Sequence, residues 1–455
     1  MGGSGNLESE GRATVNLFIV LACLNAVACA AALMRMRPAT IILTANQILV
    51  LVAFGNIARF GQPTSQGFLP TSVFSLENIS IAENLFCITT AMLLLIAFLP
   101  SRFRNEQLAL PVVPSWVLTL LLAYFVSVAF SQRTILTNAY ADPDSAVYNV
   151  SIGGGAYAFL ASLLLYEVVR RTFVGTLRRS TGFAFLFFAF LATDYLKGST
   201  GLASGFVITA ATLIFSREPR PTRRWITLGA ILASLALFLI AVRTMRATLS
   251  TEGTAAFAQF SSQLQRKSSD QANTGEGIET MGNGAQYAAH VLECIALYES
   301  GVDREWRSVY LPLLYTFEPS FLLRPLGIER PLEAAWELAN YYIHGGGIFV
   351  VGELYWNGGY LCVVLVFAGL SWLAWKCDTR YRDNFFWLIM VCNFSSNLFQ
   401  GIGYGFAQVA RGAINGLLAL LVWKVGGFVL RRSRGLRADS PLSDPRPSPR
   451  AQVSN

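Results

Sequence analysis

Apolar stretches of about twenty residues recur along this chain, and that recurrence restricts it to one kind of fold. Spans read near 14–34, 39–58, 79–99, 112–130, 153–169, 181–196, 199–216, 225–242, 347–375, 385–402 and 409–430, about eleven, within a range of ten to twelve. Charged residues make up 14% of the 455, against about 25% in a soluble domain. The expected class is an all-α polytopic membrane protein with the lipid bilayer as its solvent. The stretch near 181–196 is short, and Asp194 and Lys197 lie at its end. The stretch near 347–375 is too long for one straight helix, so Gly352, Gly358 and Gly359 are expected to divide it into a lip and a true span.

The basic residues set the orientation. Every second connection is rich in them: Arg35 and Arg37; Arg102 and Arg104; Arg170, Arg171, Arg178 and Arg179; Arg217, Arg220, Arg223 and Arg224; Lys376, Arg380 and Arg382; then the C-terminal cluster. By the positive-inside rule these are cytoplasmic, which puts the long polar segment 243–346 on the outer side. The net charge of +8 is thus topology, and no nucleic-acid partner is expected. Five regions follow: a flexible lead at 1–13, an N-terminal transmembrane bundle at 14–242, an extracytoplasmic loop at 243–346, C-terminal transmembrane helices at 347–430 and a disordered basic cytoplasmic tail at 431–455. Of the seven cysteines only Cys294 falls in the loop, and no CxxC occurs, which excludes a disulfide framework and a zinc ribbon there.

The loop has two halves. Thr248–Gly284 is Ser-, Gln-, Thr- and Gly-rich without periodicity, and Gln286–Ile343 reads as short amphipathic helices. In PLEAAWELANYYI, Pro331 suits a first helical position, and Leu332, Ala335, Trp336, Ala339 and Ile343 share a face. Trp336, Tyr341 and Tyr342 are residue types that favour the membrane–water interface, so the loop is expected to lie on the outer leaflet over the bundle. His290, in YAAHVLECIALY, reads as structural.

Ionisable and aromatic residues concentrate where the loop enters the next span. The stretch reads EPSFLLRPLGIERP, then PLEAAWELANYYI, a glycine run, and GELYWNGG at 352–359. This layout resembles the Wzy-type O-antigen and exopolysaccharide polymerases of bacterial envelopes, which are related to the O-antigen ligases. Those ligases often carry Ser-Arg-Gly just inside a middle span. Here the comparable stretch is LKGSTG, with Thr200 in place of the arginine and Lys197 nearby, a departure that favours polymerase over ligase. The resemblance implies a GT-C-like glycosyltransferase architecture with one large helical extracytoplasmic loop. It implies a bacterial inner-membrane enzyme whose active site faces the periplasm. The substrates would be undecaprenyl-diphosphate-linked oligosaccharides, and a chain-length-regulating co-polymerase would be a further partner. A ligase with the same chemistry and another acceptor is the nearest alternative, and a lipid-linked oligosaccharide flippase is the alternative of another class.

In that reaction charge develops on a diphosphate leaving group, and fixed cations or a metal must stabilise it. The loop offers arginines rather than a carboxylate cage, so a metal-independent reaction without cofactor is expected. Arg330, Arg324 and Arg307 on the loop, with Lys197, Arg243 and Arg411 at outer ends of spans, are the expected substrate-binding cations. Glu353 and His344 are the candidates to receive or orient the acceptor proton. Glu353 sits in the apolar frame GIFVVGELYW, where a carboxylate is expected to face a cavity or a partner. Tyr341 and Tyr355 are assigned to the substrate, and Trp356, Tyr355 and Tyr360 are rings able to stack on sugars or anchor at the interface.

Overall fold

The structure is a computed structural model that describes residues 4–60, 73, 75–100, 112, 154–174, 201–216, 222–223, 226–231, 234, 283–302, 304, 334–338, 340–342, 348–382, 384–403 and 405–438. Within them the secondary structure is helical, with one isolated bridge at Ile348. The helices are α1 (Ser4–Met34), α2 (Pro38–Phe60), α3 (Leu76–Phe98), α4 (Gly154–Phe173), α5 (Gly201–Phe215), α6 (Asn283–Glu299), α7 (Ala334–Leu338), α8 (Val350–Arg380), α9 (Phe385–Gly401) and α10 (Phe406–Ala438). Four contain segments long and apolar enough to cross a membrane: Leu17–Met34, Pro38–Ile57, Leu76–Phe98 and Val350–Arg380. Shorter apolar helices run over Ser204–Phe215, Phe385–Phe399 and Phe406–Leu421. The spans expected near 112–130 and 181–196, and most of that near 225–242, lie outside the described residues. At the chain ends helix extends further than expected. α1 begins within the lead, at Ser4, and α10 continues into the tail as far as Ala438.

One end of the bundle is tied by arginines. Arg35 donates to the Ala97 carbonyl, and Arg37 donates to the carbonyls of Ile96 (2.5 Å) and Leu99 (2.6 Å), so the α1–α2 turn closes over the last turn of α3. These are carbonyls that a helix C-terminus leaves without an internal partner. Arg382, just past α8, does the same for the Ser216 carbonyl after α5, at 3.1 Å. Asp378 near the end of α8 accepts from Ala39 N–H (3.0 Å), Thr40 N–H (2.8 Å) and the Thr40 hydroxyl (2.7 Å), capping α2. In the last turns of α4, Glu167 pairs with Arg170 and Arg171, and Tyr166 meets Phe385 of α9 edge-on. Arginines at 35, 37, 170, 171 and 382 thus gather at one end, as the alternation along the sequence requires.

The middle of the bundle holds a polar tie. Asn25 donates to the Thr90 hydroxyl at 2.8 Å, and Gln47 donates to those of Thr89 and Thr90 at 2.9 Å, joining α1, α2 and α3 in an apolar medium. Towards the other end, Phe18, Phe54, Phe86, Phe349 and Tyr287 form a chain of ring contacts 4.9–6.2 Å apart that links α1, α2, α3, the start of α8, and α6. α9 is gripped through small residues: Gly205 of α5 lies on the Ser396 carbonyl, and a Cβ on Gly412 of α10 would come within 2.9 Å of Asn397 Cβ.

α6 departs from the surface helix expected of it. It packs on α2, α3 and α8, and from Tyr287 to Ile295 every residue but Ala289 is buried. His290 is 3% exposed and Glu293 1%, so the polar side of YAAHVLECIALY faces protein. α6 is thus built into the bundle, whereas α7 packs over Cys294 and Leu297 of α6 and Tyr341 beyond it is exposed.

Candidate functional site

At the end opposite the arginine ties, three helix termini meet around Glu353. α8 starts without a side-chain cap, and its orphan N–H groups find carbonyls beyond α9 instead: Ile348 N–H donates to Gly403 (3.0 Å) and Val350 N–H to Ile402 (2.9 Å). This fixes the α9–α10 turn against the first turn of α8, which carries Glu353. Glu353 Oε2 accepts from Phe406 N–H, the first residue of α10, at 2.5 Å. A carboxylate in the first turn of one helix thereby caps the N-terminus of another, where both dipoles favour an anion. Gly405 holds the turn at φ +99°, and a Cβ there would lie 2.5 Å from Glu353 Oε2.

The partner of Glu353 comes from the end of α6. Gly301, at φ +76°, closes that helix with bonds from Val302 N–H to Leu297 (2.9 Å) and from Gly301 N–H to Tyr298 (3.0 Å), a Schellman motif. The reversal brings the Val302 carbonyl to Trp356 Nε1–H at 2.8 Å and sets Arg304 over the Trp356 ring, 5.0 Å from its centroid. Arg304 then donates to Glu353 Oε1 (3.2 Å), Asn357 Oδ1 (2.6 Å) and Glu337 Oε2 of α7 (2.8 Å). Its side chain is 1% exposed and that of Glu353 6%. The apolar frame read around Glu353 therefore contains a guanidinium, and the expectation that this carboxylate faces a partner is met by Arg304.

α8 bends as its glycines suggest, though not at all three. Gly358 and Gly359 carry the non-helical backbone, and Gly359 sits at φ +62° with the Tyr298 hydroxyl 2.8 Å from where a Cβ would be. Gly352 stays helical. Its role is close approach, since a Cβ there would come within 2.9 Å of Val291 Cα and 3.5 Å of Cys294 Cβ on α6.

Tyr355 is 2% exposed, donates to Glu299 Oε1 at 2.6 Å and meets Tyr298 and Tyr360 edge-on. Trp356 is 1% exposed, so of the three stacking candidates Tyr360 keeps an open face. Tyr341 is exposed and touches Trp356 edge-on at 6.1 Å. Arg411, in the second turn of α10, donates to Gln408 at 2.8 Å. His344, Arg330, Arg324, Arg307, Lys197 and Arg243 lie outside the described residues. Among the described side chains of α7, Ala334 and Leu338 are buried, while Leu332, Ala335, Trp336, Ala339 and Ile343 of the face expected for PLEAAWELANYYI lie outside the described side chains.

Sequence reasoning missed Arg304, Glu337, Asn357 and Glu293. One signal was available: Glu353 and Asn357 are four apart on one helical face, and two acceptors there call for a donor. Glu293 is 1% exposed, and its burial pushes its carboxyl up to about 8. Burial also raises the neighbouring Cys294 thiol, and Glu293 and Glu353 add to the shift.

Fold and spans define a helical membrane protein with a buried, charged centre at one end. No known protein family, curated protein or solved structure matches the chain.

Proposed function

We propose that this chain is a Wzy-type polysaccharide polymerase of the bacterial inner membrane. It transfers a growing glycan from undecaprenyl diphosphate onto a new lipid-linked repeat unit, on the periplasmic side. The observation that carries the reading is the Glu353–Arg304 centre. It is built on GELYWNGG, where the loop enters the bundle, at the end away from the arginine ties. The positive-inside rule turns that end outward. A flippase would line a central cavity with charge through both halves. Among the described residues the buried ion pairs sit at the two ends of the bundle, and Asn25, Gln47, Thr89 and Thr90 between them are neutral. In this reading Glu353 keeps the centre in register for the acceptor, and the loop arginines Arg307, Arg324 and Arg330 neutralise the leaving diphosphate without a divalent metal.

The test is chain extension by purified protein on lipid-linked repeat units. The wild type should make a ladder, and Glu353→Gln, folded by size and helicity, should lose it by about 10²-fold or more. A wild type that makes no ladder but moves single units across vesicles is a transporter, and the polymerase reading then fails.

A further inference from the structure

Glu293 of α6 is a second buried carboxyl beside this centre. Its Oε2 has no hydrogen-bond partner among the described residues. Gly352, next to Glu353, crosses α6 closely at Val291 and touches Cys294, next to Glu293, so two carboxyl groups share one end of the bundle with opposite surroundings. Both oxygens of Glu353 are engaged, by a guanidinium and a helix N–H. Around Glu293 burial dominates. Two carboxyls set apart by their environments can take different roles, one fixed as an ion-pair partner and one left to handle a proton.

We propose that Glu293 is the group that takes the proton from the acceptor hydroxyl, while Glu353 holds Arg304 in place. This rests on the polymerase reading above. As the hydroxyl oxygen bonds to the anomeric carbon of the donor, its proton passes to Glu293 Oε2. The anomeric carbon–oxygen bond to the diphosphate breaks, and its electron pair leaves with the lipid diphosphate. Ala334 and Leu338 of α7, with Tyr342, pack over Cys294 and Leu297, so the acceptor reaches Glu293 by displacing that cover.

The titratable and charged groups on the packed elements are few. α6 itself carries Tyr287, His290, Cys294, Tyr298 and Glu299, and α8 brings Glu353, Tyr355 and Cys362. The cover brings Glu337 and Tyr342, with Arg304 bound to Glu337. α3 carries Glu77, Glu83 and Cys87, and α2 has no titratable side chain between Pro38 and Ile57. A carboxyl raised to about 8 is mostly protonated at pH 7 and ionises as pH passes 8.

That protonation makes glutamine a match in both shape and charge. If Glu293 only packs, Glu293→Gln should extend chains like the wild type. If it accepts the proton, the variant should lose about 10²–10⁴-fold in turnover while its donor binding, by titration with lipid-linked repeat unit, is unchanged. The wild-type rate should rise by about tenfold per pH unit up to about 8 and then level, and Glu293→Asp should restore part of it with a displaced profile. A normal ladder from Glu293→Gln overturns the assignment and leaves the polymerase reading intact. Failure of the wild type to form any ladder overturns both.

Discussion

Arg304→Met is the sharpest test of the centre. Methionine keeps an unbranched apolar stem that can lie against Trp356, but it is shorter than arginine and removes three charge-assisted hydrogen bonds. It takes from Glu353, 6% exposed, its ion pair with Arg304, and frees Glu337, which is 17% exposed and better able to find water. Breaking a buried pair from one side costs about 3–5 kcal/mol, most of it the burden of the orphaned charge. The cation–π contact adds about 1–2 kcal/mol for a desolvated pair, and a sulfur–aromatic contact offsets part of that. A loss of about 3–5 kcal/mol is expected, read as equilibrium unfolding in mixed micelles. Glu337→Gln should cost about 1 kcal/mol or less, because its carboxylate is the more exposed partner. The double variant Arg304→Met with Glu353→Gln removes the orphaned charge and should recover at least about 1.5 kcal/mol relative to additivity. An Arg304→Met protein within about 1 kcal/mol of the wild type, with additive double-variant behaviour, would refute the claim that this pair organises the site.

Two further outcomes follow from the backbone and the caps. Gly359→Ala should destabilise by about 1–3 kcal/mol, since it meets both φ +62° and the Tyr298 hydroxyl, whereas Gly229→Ala, with nothing within 4 Å of the new Cβ, should not; equal melting temperatures for the two would show that the α8 bend does not need glycine. Asp378→Ala should cost about 1–2 kcal/mol by uncapping α2, and Asp378→Asn, which keeps one acceptor, less; thermal unfolding of both in the same detergent checks the order.

Much of the fold was legible because lipid makes demands that a sequence cannot hide. The described spans fall close to the apolar runs, and the arginines converge on one end because charge at a membrane boundary is sorted by side. The loop was less legible. YAAHVLECIALY reads as an amphipathic helix with His290 structural, in a loop expected to lie on the outer leaflet, and His290 is indeed buried. What reversed that placement was tertiary: Gly352 lets α6 approach α8 backbone to side chain, and the helix is swallowed with its polar groups. Arg304 was invisible for a related reason. In VDREWR two arginines three apart look alike, and only the left-handed Gly301 decides that Arg304 turns inward over Trp356. Glu353 stood out because a lone carboxylate in an apolar run must find a partner, but the run itself does not say which.

The centre is polarised by the helices that build it, and this decides which of its charges matter most. Glu353 lies where α8 and α10 both begin, so two positive dipole ends and the Phe406 N–H favour its negative charge. Arg304 lies just past the C-terminus of α6, where the dipole favours a cation. The ion pair therefore runs along the field of the three termini instead of against it. Glu337 belongs to the five-residue α7, too short to carry a comparable dipole, and reaches the same guanidinium from a more exposed position. Removing Glu337 takes away one contact from a centre whose helices still favour the remaining pair. Removing Arg304 takes away the guanidinium that Glu353 pairs with where α8 and α10 begin, so it should cost more than removing Glu337.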